Sequence, residues 1–239
     1  MLRGQPVTVV IPVRGGSKGI PGKNLYRLGN DTLLERSIKI AKLSPYIDRV
    51  LVSTDHPEMY AIASQYAVAA PAIRPAGLAS DNAKTVDVVV DLIETAPISG
   101  GWILLLQVTS PLRTLGDLNA FCETFDNAPA ETEAAVSLVH FDSHHPDKIQ
   151  KVEDGLVQSY TGKDSMVARQ SLPVVYALNG AFYISHRDFL ISHRTFMPPH
   201  TIPFVMPEEH SVNLDTMTDI YVMEAMLEKG IYKIEEYDL

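Results

Sequence analysis

Val10-Ile-Pro-Val-Arg-Gly-Gly-Ser-Lys-Gly-Ile-Pro-Gly-Lys-Asn24 is an apolar segment that runs without a break into a loop of glycines and cations. Glycine lets backbone N–H groups approach an anion and adopt positive φ. Arg14, Lys18 and Lys23 add charge-assisted donors. Pro21 stiffens the loop, so less ordering entropy is lost on binding. Because the cations sit among the glycines, Arg14, Gly15, Gly16, Ser17, Lys18, Lys23 and Asn24 are expected to wrap the phosphates of a nucleotide. Two common phosphate motifs do not fit. A P-loop centred on Gly22-Lys23 would need glycine at Ser17 and a hydroxyl at Asn24, and G-x-G-x-x-G does not occur.

Working outward, Val7 to Val13 is an almost continuous apolar run, as in a strand covered on both faces. Leu34, Ile38 and Ala41 recur at helical spacing. Strands are expected at Arg49 to Thr54, Ala67 to Ile73, Trp102 to Gln107, Glu133 to Val139 and Ala181 to Ser185, with a short last one at Ile231 to Ile234. Helices are expected at His56 to Tyr66, Thr85 to Thr95, Leu115 to Asp126 and Met217 to Glu228. This alternation predicts an α/β domain with a mainly parallel sheet flanked by helices, spanning 1–239. Residues 140–173 are polar and lack long periodic runs, so they read as an excursion or hairpin arm from that sheet.

A hydrophobic content of 46% suffices for a core, and a net charge of −9 argues against a nucleic-acid partner. Local positive charge can still serve an anionic substrate. The single cysteine, Cys122, excludes an internal disulfide network and reads as a small core residue. Met1-Leu-Arg-Gly-Gln-Pro6 has no signal-like apolar region, and the apolar runs are strand-sized. A cytoplasmic protein with no membrane partner is the expectation.

The loop resembles the signature of the acylneuraminate cytidylyltransferases, the CMP-sialic acid synthetases. The resemblance implies a Rossmann-like nucleotidyltransferase fold. It also implies an enzyme that joins CTP to a nine-carbon 2-keto sugar acid (sialic acid, or a relative such as legionaminic acid) and releases pyrophosphate. Cytidylyltransferases for the eight-carbon lipopolysaccharide acid carry a similar loop, usually without Gly-Gly-Ser-Lys-Gly.

Further segments extend the resemblance in order along the chain. Ser53-Thr-Asp55 and Gln107-Val-Thr-Ser-Pro-Leu-Arg113 lie at expected strand ends, where ligands of α/β sheets bind. Val108 stands where the family usually has proline. Asp55 taken alone reads as a helix N-cap, whereas the bidentate amide of Gln107 suits sugar hydroxyls. Arg74-Pro-Ala-Gly-Leu-Ala-Ser-Asp81 resembles the family's Arg-Pro-x-x-Leu-Ala-x-Asp. That match implies that Arg74 meets the nucleotide and that Thr85 helps hold cytosine.

His144-His-Pro-Asp-Lys148 invites a metal reading. Neighbouring residues on a strand point to opposite faces, however, and no spaced partner completes a zinc site. The family resemblance instead implies a dimerisation arm, hence a homodimer, with Lys148 reaching a partner's sugar site. Arg169-Gln-Ser-Leu-Pro173 and Asn179-Gly-Ala-Phe-Tyr-Ile184 also match the family. The planar fork of Arg169 suits the sugar acid's carboxylate. Asn179 is expected at the sugar, and Tyr183 beside its acyl group unless it is simply core.

In Ser211-Val-Asn-Leu-Asp215-Thr216 the family usually shows Asp-x-Asp, both carboxylates serving Mg²⁺. This chain keeps Asp215 and has Asn213, whose amide oxygen is a ligand without the charge. Ala177 replaces an arginine common among relatives. The implied chemistry is in-line attack of the anomeric hydroxyl on the α-phosphate, with Lys23, Arg14 and Asp215 as catalytic groups. The alternatives are the eight-carbon acid as substrate, or a nucleotide-binding module that has lost catalysis.

Overall fold

The computed structural model describes residues 1–141 and 145–239. The strands are β1 (Val7–Pro12), β2 (Arg27–Leu28), β3 (Asp31–Thr32), β4 (Arg49–Ser53), β5 (Trp102–Leu106), β6 (Ala134–His140), β7 (Gln150–Glu153), β8 (Leu156–Ser159), β9 (Tyr176–His186) and β10 (Thr201–Met206). The helices are α1 (Leu33–Leu43), α2 (Pro57–Gln65), α3 (Thr85–Thr95), α4 (Leu115–Asp126), α5 (Arg187–His193) and α6 (Met217–Glu228). Six strands form the main sheet in the order β10-β6-β9-β5-β1-β4. β1 runs parallel to β4 and β5, and β10 parallel to β6, while β9 is antiparallel to both its neighbours.

Val7, Val9, Val10 and Ile11 are wholly buried because helices cover both faces of β1. Each such side chain contributes about 1.5–3 kcal/mol of burial. One face packs Val9, Ile11, Leu104 and Leu106 with Leu34, Ile38, Leu118 and Phe121 of α1 and α4. The other packs Val10, Ile103 and Leu105 with Val89, Ile93 and Leu190 of α3 and α5. Helix starts are legible in the chain. Thr32 Oγ1 accepts from the Glu35 amide at 3.2 Å, and the Glu35 carboxylate accepts from the Thr32 amide at 2.8 Å.

Several expectations need correction. The 67–73 stretch is not a strand. It makes one parallel bridge, Val52 to Ala69, between Ala67 at φ 56° and the donorless Pro71. Residues 231–234 form no strand either; they begin a strap whose Tyr232 and Tyr237 are buried. β9 begins at Tyr176, ahead of the apolar run at 181. α5 and β10 were not foreseen, since seven residues carry too little periodicity and Pro203 interrupts β10.

Within 140–173, β7 and β8 form a separate antiparallel hairpin. Asp154 and Gly155 turn it with φ of 51° and 78°, the left-handed pair that a two-residue hairpin turn requires. Its Val152, Leu156 and Val157 are exposed. No helix among the described residues is long and apolar enough to cross a membrane.

Candidate active site

The carboxyl ends of β1 and β5 open onto one cavity of about 400 Å³. The loop after β1 forms one wall. Arg14, Gly16, Ser17, Lys23 and Asn24 line it there, and Arg74, Thr85, Gln107, Asn213 and Asp215 close the remaining sides. Ten of the expected site residues therefore meet in one place.

How the loop is held explains which groups are free for a ligand. The Gly15 amide donates to Asp55 Oδ1 at 3.0 Å, so it points into the protein. A Cβ on Gly15 would come within 2.7 Å of the His56 ring. Asp55 is thus an anchor of the loop. The cap position of α2 belongs to His56, which makes no side-chain capping bond, so the N-cap reading of Asp55 is corrected. Asn24 is buried and donates from Nδ2 to the Arg14 carbonyl at 2.9 Å. Arg74 is buried too. It donates to the Val13 carbonyl and lies 3.5 Å from Asp55. Burial lowers the Arg74 pKa from the ordinary 12.5 while Asp55 opposes that shift.

Lys23 reaches the far wall. Its Nζ donates to the Leu214 carbonyl at 2.6 Å and lies 3.8 Å from Asp215 Oδ1. Burial pulls its pKa below 10.5, against the raising influence of Asp215. The Asp215 segment is itself fixed from behind: Asp219 Oδ2 accepts from the Asp215 amide at 2.9 Å and the Thr216 amide at 2.6 Å. Burial works to raise the Asp219 pKa, but those bonds bring it below its ordinary value.

Asn213 Nδ2 donates to Asp215 Oδ2 at 2.8 Å, which leaves Asn213 Oδ1 free to turn elsewhere. It turns toward Gly180. A Cβ there would lie 2.9 Å from Gln107 Oε1 and 3.5 Å from Asn213 Oδ1, and Gly180 has φ 79°. Sequence reasoning passed over Gly180, although an Asn-Gly pair inside a strand signals close approach. No group of three or more His, Cys, Asp or Glu gathers as a metal site among the described residues. The oxygens of Asp215, Asn213 and Gln107 nevertheless suit a hard cation that takes most of its ligands from water and substrate phosphates.

A second cavity of about 700 Å³ adjoins the first. Arg169, Glu208, Asp219 and Val222 line it, and Asn213 belongs to both cavities. Other expected residues lie outside these linings. Lys18 is exposed at the rim of the first cavity, where it pairs with Asp81 of the lining. Lys148 donates to the carbonyls of Ser165 (2.6 Å) and Val167 within its own arm. Asn179 is buried, receives the Ser137 hydroxyl at 2.6 Å and donates to Ser211 at 3.0 Å, so it braces the floor between β6 and the 211–215 segment. Tyr183 packs against Phe196, 6.2 Å between rings, on the α3–α5 face, and lines neither cavity. His144 lies outside the described residues. His145 uses both ring nitrogens internally, Nδ1 with the Asp147 amide and Nε2 with the Pro173 carbonyl, each at 3.1 Å.

The chain is 28% identical to a protein of Campylobacter coli named post-translational flagellin modification protein B, over 97% of this chain and 99% of that one. It is 28% identical to the CMP-N,N'-diacetyllegionaminic acid synthase of Legionella pneumophila, over 93% and 96% respectively. Among solved structures, CMP:2-keto-3-deoxy-manno-octonic acid synthetase complexed with CTP aligns with TM-score 0.67 at 15% identity. That match covers 94% of this chain and 99% of the other. A family model described as cytidylyltransferase matches residues 8–236, and with it the chain belongs to the cytidylyltransferase family.

Proposed function

We propose that this enzyme transfers the cytidylyl group of CTP to a nine-carbon nonulosonic acid and releases pyrophosphate. The observation that carries the reading is the pair of cavities meeting at Asn213, one walled by the glycine–cation loop and the other containing Arg169. Triphosphate in the first and sugar carboxylate in the second would bring the anomeric hydroxyl and the α-phosphate together beside Asn213 and Asp215. Lys23 and Arg14 then stabilise charge on the phosphates, and Arg169 holds the carboxylate by its planar fork. Asp215 and the Asn213 amide oxygen would hold a Mg²⁺ ion, which supplies neutralisation of phosphate oxygens. Little covalent work falls to the protein, so positioning is its main contribution.

The second cavity also has an apolar side, with Val139, Phe141, Val212 and Val222 in its lining. That surface favours acyl methyls and deoxy carbons over a hydroxylated tail. The named relative from Legionella pneumophila, a CMP-N,N'-diacetyllegionaminic acid synthase, supports the same choice. Pyrophosphate release from CTP and Mg²⁺ should therefore be measured with diacetamido acids such as legionaminate and with N-acetylneuraminate. The diacetamido acid should show kcat/KM about tenfold higher, the order that one or two methyl contacts supply, and EDTA should stop the reaction. Release with the eight-carbon acid alone would overturn the reading, as would CTP binding with no turnover on any acid.

The functional unit we propose is a cytoplasmic homodimer. Val152, Leu156 and Val157 of the β7–β8 hairpin are exposed, and Tyr160 beside it is exposed too. A second copy would cover this surface. Sedimentation at micromolar concentration should give a dimer, and Val157→Glu a monomer; a monomeric wild type would refute the arrangement.

A further inference from the structure

The phosphate cradle already has an anion in it, and that anion is part of the chain. Asp81 lines the first cavity and faces the loop after β1. Its Oδ1 is 3.0 Å from Arg14 Nη1, and its Oδ2 is 2.5 Å from Lys18 Nζ. One carboxylate thus bridges two of the three cations of the loop. Among the described residues, no other carboxylate lies within ion-pair distance of either.

The segment carrying Asp81 is fixed at its two ends and lightly held between them. Before it, the Arg74 amide is tied to the Thr54 carbonyl at 2.8 Å, and after it α3 begins at Thr85. Between these anchors the hydrogen bonds are local: Leu78 amide to Pro75, Ser80 hydroxyl to Gly77 and Ala83 amide to Ser80. The segment's buried contact is slight, for the 76–79 turn has no buried residue. Leu78, Ser80 and Ala83 line the cavity beside Asp81, so the position of this segment sets the width of the mouth.

We propose that Asp81 is an internal competitor for the triphosphate. Its carboxylate takes the anion seat between Arg14 and Lys18 and draws residues 76–84 across the cleft. Incoming nucleotide displaces it, and it regains the seat as pyrophosphate leaves. This rests on the nucleotide reading of the first cavity. Lys18 is 84% exposed and Asp81 is 46% exposed, so the ion pairs are of the weak, screened kind. A polyphosphate with several charges outcompetes a single carboxylate, but the tethered carboxylate weakens the hold on triphosphate and pyrophosphate alike and so favours product release. The hydrogen bond from Lys18 holds the Asp81 carboxyl below its ordinary pKa, so it stays charged throughout the neutral range.

The test is calorimetric titration of inorganic pyrophosphate, CTP and cytidine into the wild type, Asp81→Asn and Asp81→Ser at low salt and constant Mg²⁺. Pyrophosphate and CTP should bind about fivefold tighter to both variants, with the gap narrowing as salt rises. Cytidine, which has no phosphate, should bind all three proteins equally. Inhibition of turnover by pyrophosphate should strengthen by a similar factor. Unchanged or weaker pyrophosphate binding in the variants would overturn the proposal, because Asp81 would then orient the cations rather than compete for them. Tightening that cytidine shares would overturn it too, since it would report a reshaped pocket. If pyrophosphate tightens while CTP binds to none of the proteins, the competitor stands and the CTP reading fails.

Discussion

Lys23→Met should lower CTP-dependent pyrophosphate release by about 10²–10³-fold, the range found when one preorganised donor to a developing anion is removed. The side chain is only 13% exposed and spans the cavity from the loop after β1 to the Leu214 carbonyl. It sits between Arg14, whose charge opposes its own, and Asp215, whose charge supports it. A group held in that way is oriented before substrate arrives, so its loss removes stabilisation that no solvent cation replaces. Methionine fills similar volume, and the variant should unfold cooperatively like the wild type.

The same residue predicts a pH limb. Burial lowers the Lys23 pKa, and the ammonium is the form that acts. Activity is then complete below that lowered pKa and falls as pH rises through it, earlier than for an ordinary lysine at 10.5. Lys23→Arg keeps its charge across this range and should lose the limb even where its rate is lower. A wild-type profile flat through the alkaline range would show that Lys23 keeps its proton there and that burial does not set the limb.

What could be read from the chain follows a physical division. The loop after β1 was legible because glycines and cations at those spacings have few other uses, and α3, α4 and α6 because their apolar residues cluster at helical spacing. The opening of the cavity at the ends of β1 and β5 followed from the fold class itself. Asp55 was not legible as an anchor. Its partner, the Gly15 amide, is 40 residues away, and a carboxylate before a helix always looks like a cap. Asn179 looked like a ligand residue because it lies in a family-like segment. Its oxygen and amide are taken up by Ser137 and Ser211, where the β6–β9 register shifts between Val136 and Leu138, and no local pattern announces such contacts. Asp81 was quoted within its segment, but only three-dimensional proximity reveals it opposite Arg14 and Lys18.

Gly19→Ala should cost about as much activity as the loss of Lys23, though it removes no functional group. A Cβ on Gly19 would lie 2.0 Å from the Asp215 carbonyl oxygen and 3.2 Å from its carbon. Both atoms are backbone, so no side chain can swing away. The loop after β1 and the 213–216 turn must separate. Asp219 bonds that turn from behind through the Asp215 and Thr216 amides, so the turn resists and the loop has to yield. The 2.6 Å bond from Lys23 to Leu214 spans the same junction and would lengthen or break. Overpacking of this kind costs roughly 1–3 kcal/mol of stability, and a displacement near 1 Å costs catalysis about 10²-fold. Gly100→Ala is the control, since nothing lies within 4 Å of its added Cβ. If Gly19→Ala kept wild-type kcat and CTP affinity while Gly100→Ala did the same, the loop and the turn would not need to touch for catalysis. Joint loss of kcat and CTP affinity in the Gly19 variant alone would show that the phosphate loop and Asp215 act as one unit, held together by a contact that only glycine permits.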